Sequence, residues 1–263
     1  MKYCFLTFDI EEFDLPFDYR SSIKEEDSFE LSRIGTKIII NILKKHNIQA
    51  TFFVTATFAQ KYPDLIKELS EVGEIACHGY SHKDKYTDDK IAFKRIKDAK
   101  KELEKISLKE VIGFRGPKLK SPKSRILKDL GFLYNSTSNP VFFPGYYNNL
   151  SESRKIYKKE GLIIFPISAT PITRTSLCWY FVRNFGLIYA KTCSNLVLFD
   201  VNYLNLIFHP WEFISLKKFD IPFGVKNNTG KKMINFLDKY IKWCKKKEIK
   251  FITIKEYIKK VNS

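Results

Sequence analysis

Residues 50–82 read ATFFVTATFAQKYPDLIKELSEVGEIACHGYSH, and the fold turns on this stretch. Ala50 to Thr55 is a short apolar run, as expected of a strand buried on both faces. Pro63 suits the first turn of a helix that carries Leu65, Ile66 and Leu69, and Gly73 ends it. Glu74 to Cys77 is then another strand, and His78 and His82 follow it directly. Strand, helix and strand in succession are the unit from which parallel sheets are built.

The alternation extends in both directions. Tyr3 to Phe8 reads as a strand, followed by an irregular acidic stretch to about Glu30. Ile34, Ile38, Ile42 and Leu43 then mark an amphipathic helix ending near Asn47. Beyond His82 the pattern predicts a helix over Asp88–Ile106, a strand at Val111–Phe114, a helix over Pro122–Leu130 and a strand at Phe132–Tyr134. A loop rich in Pro, Gly, Asn and Tyr covers Asn139–Asn149, and a strand resumes at Leu162–Pro166. The apolar runs Leu196–Phe199 and Leu204–Phe208 read as two further strands, before a lysine-rich helix, a strand at Phe251–Ile254 and a short terminal helix. The expectation is one α/β domain over residues 1–263, with a mainly parallel sheet or barrel. In such folds the chemistry collects beyond the carboxyl ends of the strands.

Composition excludes several other classes. With 44% hydrophobic and 15% aromatic residues, the 263-residue chain can bury a sizeable core, so disorder and collagen-like repeats are out. Five scattered cysteines without a CxxC pair argue against a disulfide framework and a cysteine-rich zinc site, and suggest a reducing setting. The amino terminus shows no secretory signal, because Asp9, Glu11 and Glu12 interrupt its apolar stretch. No segment reads as transmembrane, so the expected location is cytoplasmic, with the inner membrane face as an alternative.

The net charge of +17 is partly local. From Lys231 onward eleven lysines face Asp238, Glu248 and Glu256, while Met233, Leu237, Tyr240, Ile241 and Cys244 recur at helical spacing. Most of the lysines therefore line a solvated helix face. No nucleic-acid-binding module is recognisable, and an anionic substrate or acidic membrane surface accounts for the charge more economically.

The strand ends carry the chemistry-bearing residues. The first ends in Asp9-Ile10-Glu11-Glu12, the third in His78-Gly79-Tyr80-Ser81-His82, the next in Arg115-Gly116-Pro117, and a late one in His209-Pro210-Trp211-Glu212. Three of four histidines thus occupy equivalent positions. His78 and His82 can face the same way if the backbone turns helically after His78, and a carboxylate could complete a metal site with positions open for water. Asp9 and Glu11 are two apart, so in an extended backbone they share a side, whereas Glu12 shares the side of Ile10. That geometry favours Glu11 over Glu12 as ligand and Asp9 as general base. Arg115 could hold a carboxylate ionised through a bidentate pair, and His209, in partly dry surroundings, could act as acid toward a leaving amine. His46 lies at a helix end beside lysines and suits the helix dipole, so it has no assigned chemistry.

At these residues the sequence resembles the polysaccharide deacetylase superfamily, also called the NodB-homology or carbohydrate esterase family 4 domain. The motifs TFDIEEF, ATFFV, GEIACHGYSH, GFRGP and FHPWEF occur in order, from Tyr3 to about Trp211. The D-x-E first motif and the HPWE segment are similar to the branch acting on exopolysaccharides and surface polysaccharides. The resemblance implies a distorted (β/α)7-type barrel and a divalent ion on His78, His82 and a first-motif carboxylate, a duty that falls here to Glu11 before Glu12. Zinc is the first choice for that ion, with cobalt, nickel, manganese or iron as alternatives. It implies Asp9 as base, Arg115 orienting it, His209 as acid, and removal of N-acetyl groups from the amino sugars of a polysaccharide, oligosaccharide or lipid-linked glycan. Alternatives are a deformylase or other C–N amidohydrolase of the superfamily, and a non-catalytic glycan-binding barrel. Ile10 stands where relatives commonly have a second aspartate, Asn135 where they often have aspartate, and residues 167–195 diverge. Leu177 to Ala190 has two readings. Either it is a helix buried against the barrel, or it lies at a membrane, with Trp179, Tyr180, Phe181 and Phe185 meeting lipid and Arg174, Arg183 and Lys191 meeting phosphate.

Overall fold

The computed structural model describes residues 1–143 and 147–262. In chain order its elements are β1 (Tyr3–Ile10), α1 (Leu15–Asp18), α2 (Glu25–His46), β2 (Ala50–Val54), α3 (Ala56–Lys61), α4 (Pro63–Val72), β3 (Gly73–Cys77), α5 (Asp89–Ser107), β4 (Gly113–Phe114), α6 (Ser124–Asp129), β5 (Tyr134–Asn135), β6 (Phe142–Phe143), β7 (Tyr147–Asn148), β8 (Tyr157–Lys159), β9 (Leu162–Ile164), α7 (Trp179–Asp200), β10 (Tyr203–Phe208), α8 (Phe223–Lys226), α9 (Lys231–Lys246), β11 (Lys250–Phe251) and α10 (Ile254–Asn262).

The strands line up in the order β10-β1-β2-β3-β4-β5-β9, all parallel, with β8 antiparallel on β9 and β11 added to β1. The ring closes by side-chain and backbone hydrogen bonds instead of a ladder. Just past β9, the Ser168 N–H donates to the Asn205 carbonyl of β10 (3.0 Å), and the Asn205 N–H donates to Ser168 Oγ (2.8 Å). This is the expected distorted barrel.

β1 shows how the interior is layered. Inward-facing residues recur every two positions along a strand. Phe5 packs edge-on against Phe165 and Tyr257, Thr7 donates to the Leu206 carbonyl, and Asp9 reaches the carboxyl end. The barrel is therefore aromatic at its amino-terminal mouth, polar in the middle and acidic at the top. The outward side of β1 packs against the helical layer and the segment after β10, as in the Phe8–Phe213 contact.

Several boundaries differ from the sequence reading. α2 begins at Glu25, not after Glu30, because Glu25, Glu26 and Asp27 suit a helix amino terminus and Phe29, Leu31 and Ser32 face the interior. Leu196–Phe199 is not a strand but the last turn of α7. Ala190, Cys193, Ser194, Val197 and Leu198 are buried at helical spacing, which leaves Phe199 94% exposed. A run of four apolar residues fits either element, and the longer helical period wins. The expected loop Asn139–Asn149 contains the β6–β7 pair; residues 144–146 of that loop lie outside the described residues. α9 buries Met233, Leu237, Tyr240, Ile241 and Cys244, as its spacing predicts.

The amino-terminal mouth is closed by α10. The Ile254 N–H donates to Thr51 Oγ1 and the Lys255 N–H to Glu74 Oε2, so two strand side chains cap this helix. Glu74 also accepts from Tyr134 Oη (2.8 Å) and Thr51 Oγ1 (2.9 Å). Burial outweighs these bonds and pushes the Glu74 carboxyl up from 4.5 to about 7. Its contribution to stability is fully present below 4.5 and is lost as pH rises through about 7. The unfolding free energy from urea titrations should fall across that window by on the order of 3 kcal/mol in the wild type, and much less in Glu74→Gln. Equal pH dependence in the two proteins would refute the assignment.

Candidate active site

β1 ends by delivering Asp9 and, one step beyond, Glu11 to the same side. Glu11 Oε2 lies 3.0 Å from His78 Nε2 and 3.0 Å from His82 Nε2, and all three side chains are buried. The second ring nitrogen of each histidine has a fixed acceptor: the Arg115 carbonyl is 2.8 Å from His78 Nδ1, and Asp14 Oδ1 is 2.8 Å from His82 Nδ1. That arrangement turns both Nε2 atoms toward Glu11, the disposition of two imidazoles and a carboxylate around one cation. Three ligand atoms within 4.8 Å of one another could hold a divalent ion.

The backbone after His78 does not turn helically. Gly79 adopts a left-handed φ of +82°, which folds the chain back so that the two imidazoles lie 5.8 Å apart and nearly parallel. A side chain at Gly79 would also run into Tyr86 Oη. Glu12 is occupied elsewhere, accepting from the His82 N–H, Ser81 Oγ and Thr55 Oγ1, so it clamps the histidine loop instead of joining the cluster.

Arg115 is fully buried and packs over the Phe53 ring. The expected bidentate pair is absent: Nη1 donates to Asp9 Oδ1 (2.7 Å) and Thr7 Oγ1, while Nε and Nη2 donate to the Ser136 carbonyl and Oγ. Four acceptors on two segments, β1 and the residue after β5, share the guanidinium, which leaves one contact for Asp9. Burial would raise the Asp9 carboxyl, but Arg115, His78 and His209 outweigh it and hold it below its ordinary value. Asp9 is therefore an anion, with Oδ2 3.8 Å from His78 Nε2 and 3.9 Å from His209 Nε2.

His209 follows β10, and α2 packs closely against the segment just after it. A Cβ on Gly35 would lie 2.0 Å from the Pro210 carbonyl oxygen, so only glycine permits this approach. Trp179 meets the His209 ring edge-on at 5.7 Å, and Trp211 stacks on it at 4.9 Å. Burial disfavours the imidazolium, yet Glu212, Glu11 and Asp9 raise its pKa overall.

Two residues behind His209 escaped the sequence reading. Glu212 Oε1 accepts from the His209 N–H (2.7 Å) and lies 3.2 Å from its Nδ1. Arg183 is buried, with Nη1 3.5 Å from Glu212 Oε2 and Nη2 on the Val225 carbonyl, so it cannot meet lipid phosphate as the membrane reading of its helix required. Asp14 was missed as well. For Asp14 and Glu212 the signal available was the need of a working histidine for a fixed partner on its second nitrogen; Arg183, which meets Glu212 instead, gave no such signal. Asn135 is a local clip: Nδ2 donates to Ser121 Oγ, and Oδ1 accepts from the Thr137 N–H and Oγ1.

Residues 2–134, just over half of the chain, match the polysaccharide deacetylase family model, and the chain belongs to that family. An uncharacterized 30.6 kDa protein of Geobacillus stearothermophilus is 40% identical over 84 residues, 31% of this chain and 29% of that protein. The peptidoglycan-N-acetylmuramic acid deacetylase of Bacillus subtilis is 42% identical over 50 residues, 19% of each chain. The matched stretches thus span less than a third of these curated relatives. A probable polysaccharide deacetylase from Pseudomonas aeruginosa superposes with a TM-score of 0.68 at 15% identity, covering 97% of this chain and 88% of that one. At that identity the likeness is one of fold.

Arg115→Met should cost about 3–5 kcal/mol in chemical denaturation, because it strands a buried carboxylate. His82 gives a second expectation. Burial opposes its charge, but Glu11 and Asp14 push its pKa up to about 9. A divalent ion must displace that proton, so zinc affinity should rise up to about pH 9, with proton release seen by calorimetry in buffers of different ionisation enthalpy. Zinc binding without proton uptake by the buffer at neutral pH would contradict it.

Proposed function

We propose that the chain hydrolyses the C–N amide bond of N-acetylated amino sugars in a glycan, releasing acetate and leaving a free amine. One observation carries this reading: a buried carboxylate–histidine–histidine trio stands between an anionic Asp9 and a histidine of raised pKa. Amide hydrolysis needs a base for water, an electrophilic aid for the carbonyl and an acid for the nitrogen. The family membership and the named activity of the Bacillus subtilis relative support the same class of substrate.

Glu11, His78 and His82 would hold the ion, zinc before cobalt, nickel, manganese or iron, because two imidazoles and one carboxylate suit zinc and leave positions open. When bound, such an ion lowers the pKa of water and polarises the acetyl carbonyl. Asp9 accepts the proton of the attacking water. As the new C–O bond forms and the C–N bond breaks, His209 gives its Nε2 proton to the departing nitrogen. Arg115 keeps Asp9 ionised and in place. Glu212 holds His209 through Nδ1 and favours its charged form, and Trp179 and Trp211 limit water around it.

Asp9→Asn should lower turnover of an N-acetylated oligosaccharide by about 10²-fold or more while retaining bound metal. His78→Ala and His82→Ala should lose both. Glu212→Gln should reduce kcat with little change in KM. Acetate release and metal content by mass spectrometry read these outcomes. Wild-type turnover in Asp9→Asn would remove the base assignment, and formate release from an N-formylated sugar with no acetate from its N-acetylated counterpart would make the protein a deformylase.

A further inference from the structure

Residues 161–199 contain no Asp or Glu, and their charged side chains are Arg174, Arg183 and Lys191. Most of this carboxylate-free stretch after Cys178 forms α7, which kinks at Gly186, where φ is +78° and no atom lies within 4 Å of where a Cβ would sit. Beyond the kink Ile188, Leu196 and Phe199 fall within about 80° of one another around the helix axis. They are 82%, 49% and 94% exposed, while the opposite face packs inward through Ala190, Cys193, Val197 and Leu198. Phe185 just before the kink and Phe223 on α8 are also exposed, and α8 is tied to α7 by the bond from Asn184 Nδ2 to the Gly224 carbonyl. An apolar helix face of this kind, left in water, is unusual for a monomer.

Cations accompany it. Lys191 lies on α7 itself, and Lys226, which ends α8, donates to the Phe219 carbonyl with the rest of its ammonium left for a further acceptor. Lys232 of α9 donates to Asn228, whose amide in turn donates to the Arg183 carbonyl. On the acidic side, Asp200 is paired with Arg154, and Asp220 is exposed on the loop before α8, close to Lys217 and Lys218 in the chain. A second copy of the chain would bring another +17 against this face, whereas an anionic surface would neutralise it. No helix among the described residues is long and apolar enough to cross a membrane, so the contact would lie in the interface plane.

We propose that the outer face of α7 is a docking surface for an anionic lipid bilayer, with Phe185, Ile188, Leu196 and Phe199 entering the acyl boundary and Lys191, Lys226 and Lys232 meeting lipid phosphates. The helix begins at Trp179, which touches His209, so its first turn adjoins the site and the docked face runs on from there past the kink. The inference goes beyond the hydrolytic reading and does not depend on it.

Vesicle flotation of the full chain tests it. The protein should float with phosphatidylcholine vesicles containing phosphatidylglycerol, should do so far less with phosphatidylcholine alone, and should be released by high salt. Ile188→Glu with Phe199→Glu should lower flotation by about tenfold or more, with an unchanged circular dichroism spectrum and unchanged acetate release from a soluble substrate. A second variant, Lys191→Glu with Lys232→Glu, should weaken binding to the anionic vesicles and leaves the apolar face intact. Absence of flotation, equal flotation on both vesicle types, or variants that float like the wild type would overturn the proposal. So would a dimer in sedimentation velocity that Ile188→Glu with Phe199→Glu dissolves, since that would make the face an interface between copies.

Discussion

Arg115 is the interaction on which the rest of the structure depends. A guanidinium with no solvent contact is expensive unless its donors are met, and here they reach Asp9 and Thr7 on β1 and the carbonyl and hydroxyl of Ser136 after β5. Ser136 Oγ in turn donates to the Phe165 carbonyl after β9 and accepts from Asn205 Nδ2 on β10. A single cation therefore links, directly or through one hydroxyl, the strands that lie on either side of the ring's junction. The same cation holds Asp9 as an anion. Closure of the barrel and ionisation of the proposed base are two consequences of one buried charge.

Above this layer the site is assembled by partners that sit one residue outside it. The Arg115 carbonyl and Asp14 fix the two imidazoles that face Glu11, Glu12 clamps the loop between them, and Glu212 holds His209 from behind. Each functional ring thus has one nitrogen committed to the scaffold and one directed inward. Such preorganisation lowers the reorganisation needed when charge develops on a substrate. The aromatic walls of Trp179 and Trp211 add a dry side, which strengthens the fields of the charges nearby.

Much of the architecture was legible in residues 50–82 because strand and helix periods are local properties. Pro63, Gly73 and the apolar spacing between them mark α4 and β3 to within a residue. Periodicity failed where a segment was too short or too uniformly apolar to reveal its period. Leu196–Phe199 read as a strand and belongs to α7, and the acidic turn at Glu25 looked irregular until its buried side was visible. The choice of Glu11 over Glu12 followed from the alternation of an extended chain. The turn between His78 and His82 did not follow, because glycine at position 79 permits a left-handed backbone that no spacing rule specifies.

Sequence alone determined which side chains stand at strand ends, since that depends on the order of elements along the chain. It therefore pointed to Asp9, Glu11, His78, His82, Arg115 and His209 as one group. Tertiary structure alone decided how they are held: that Arg115 divides its donors among Asp9, Thr7 and Ser136, that Glu212 and Arg183 stand behind His209, and that α7 keeps an apolar face outward. Hydrogen-bond partners and exposure are properties of distances between segments far apart in the chain. A local pattern limits those distances but does not set them.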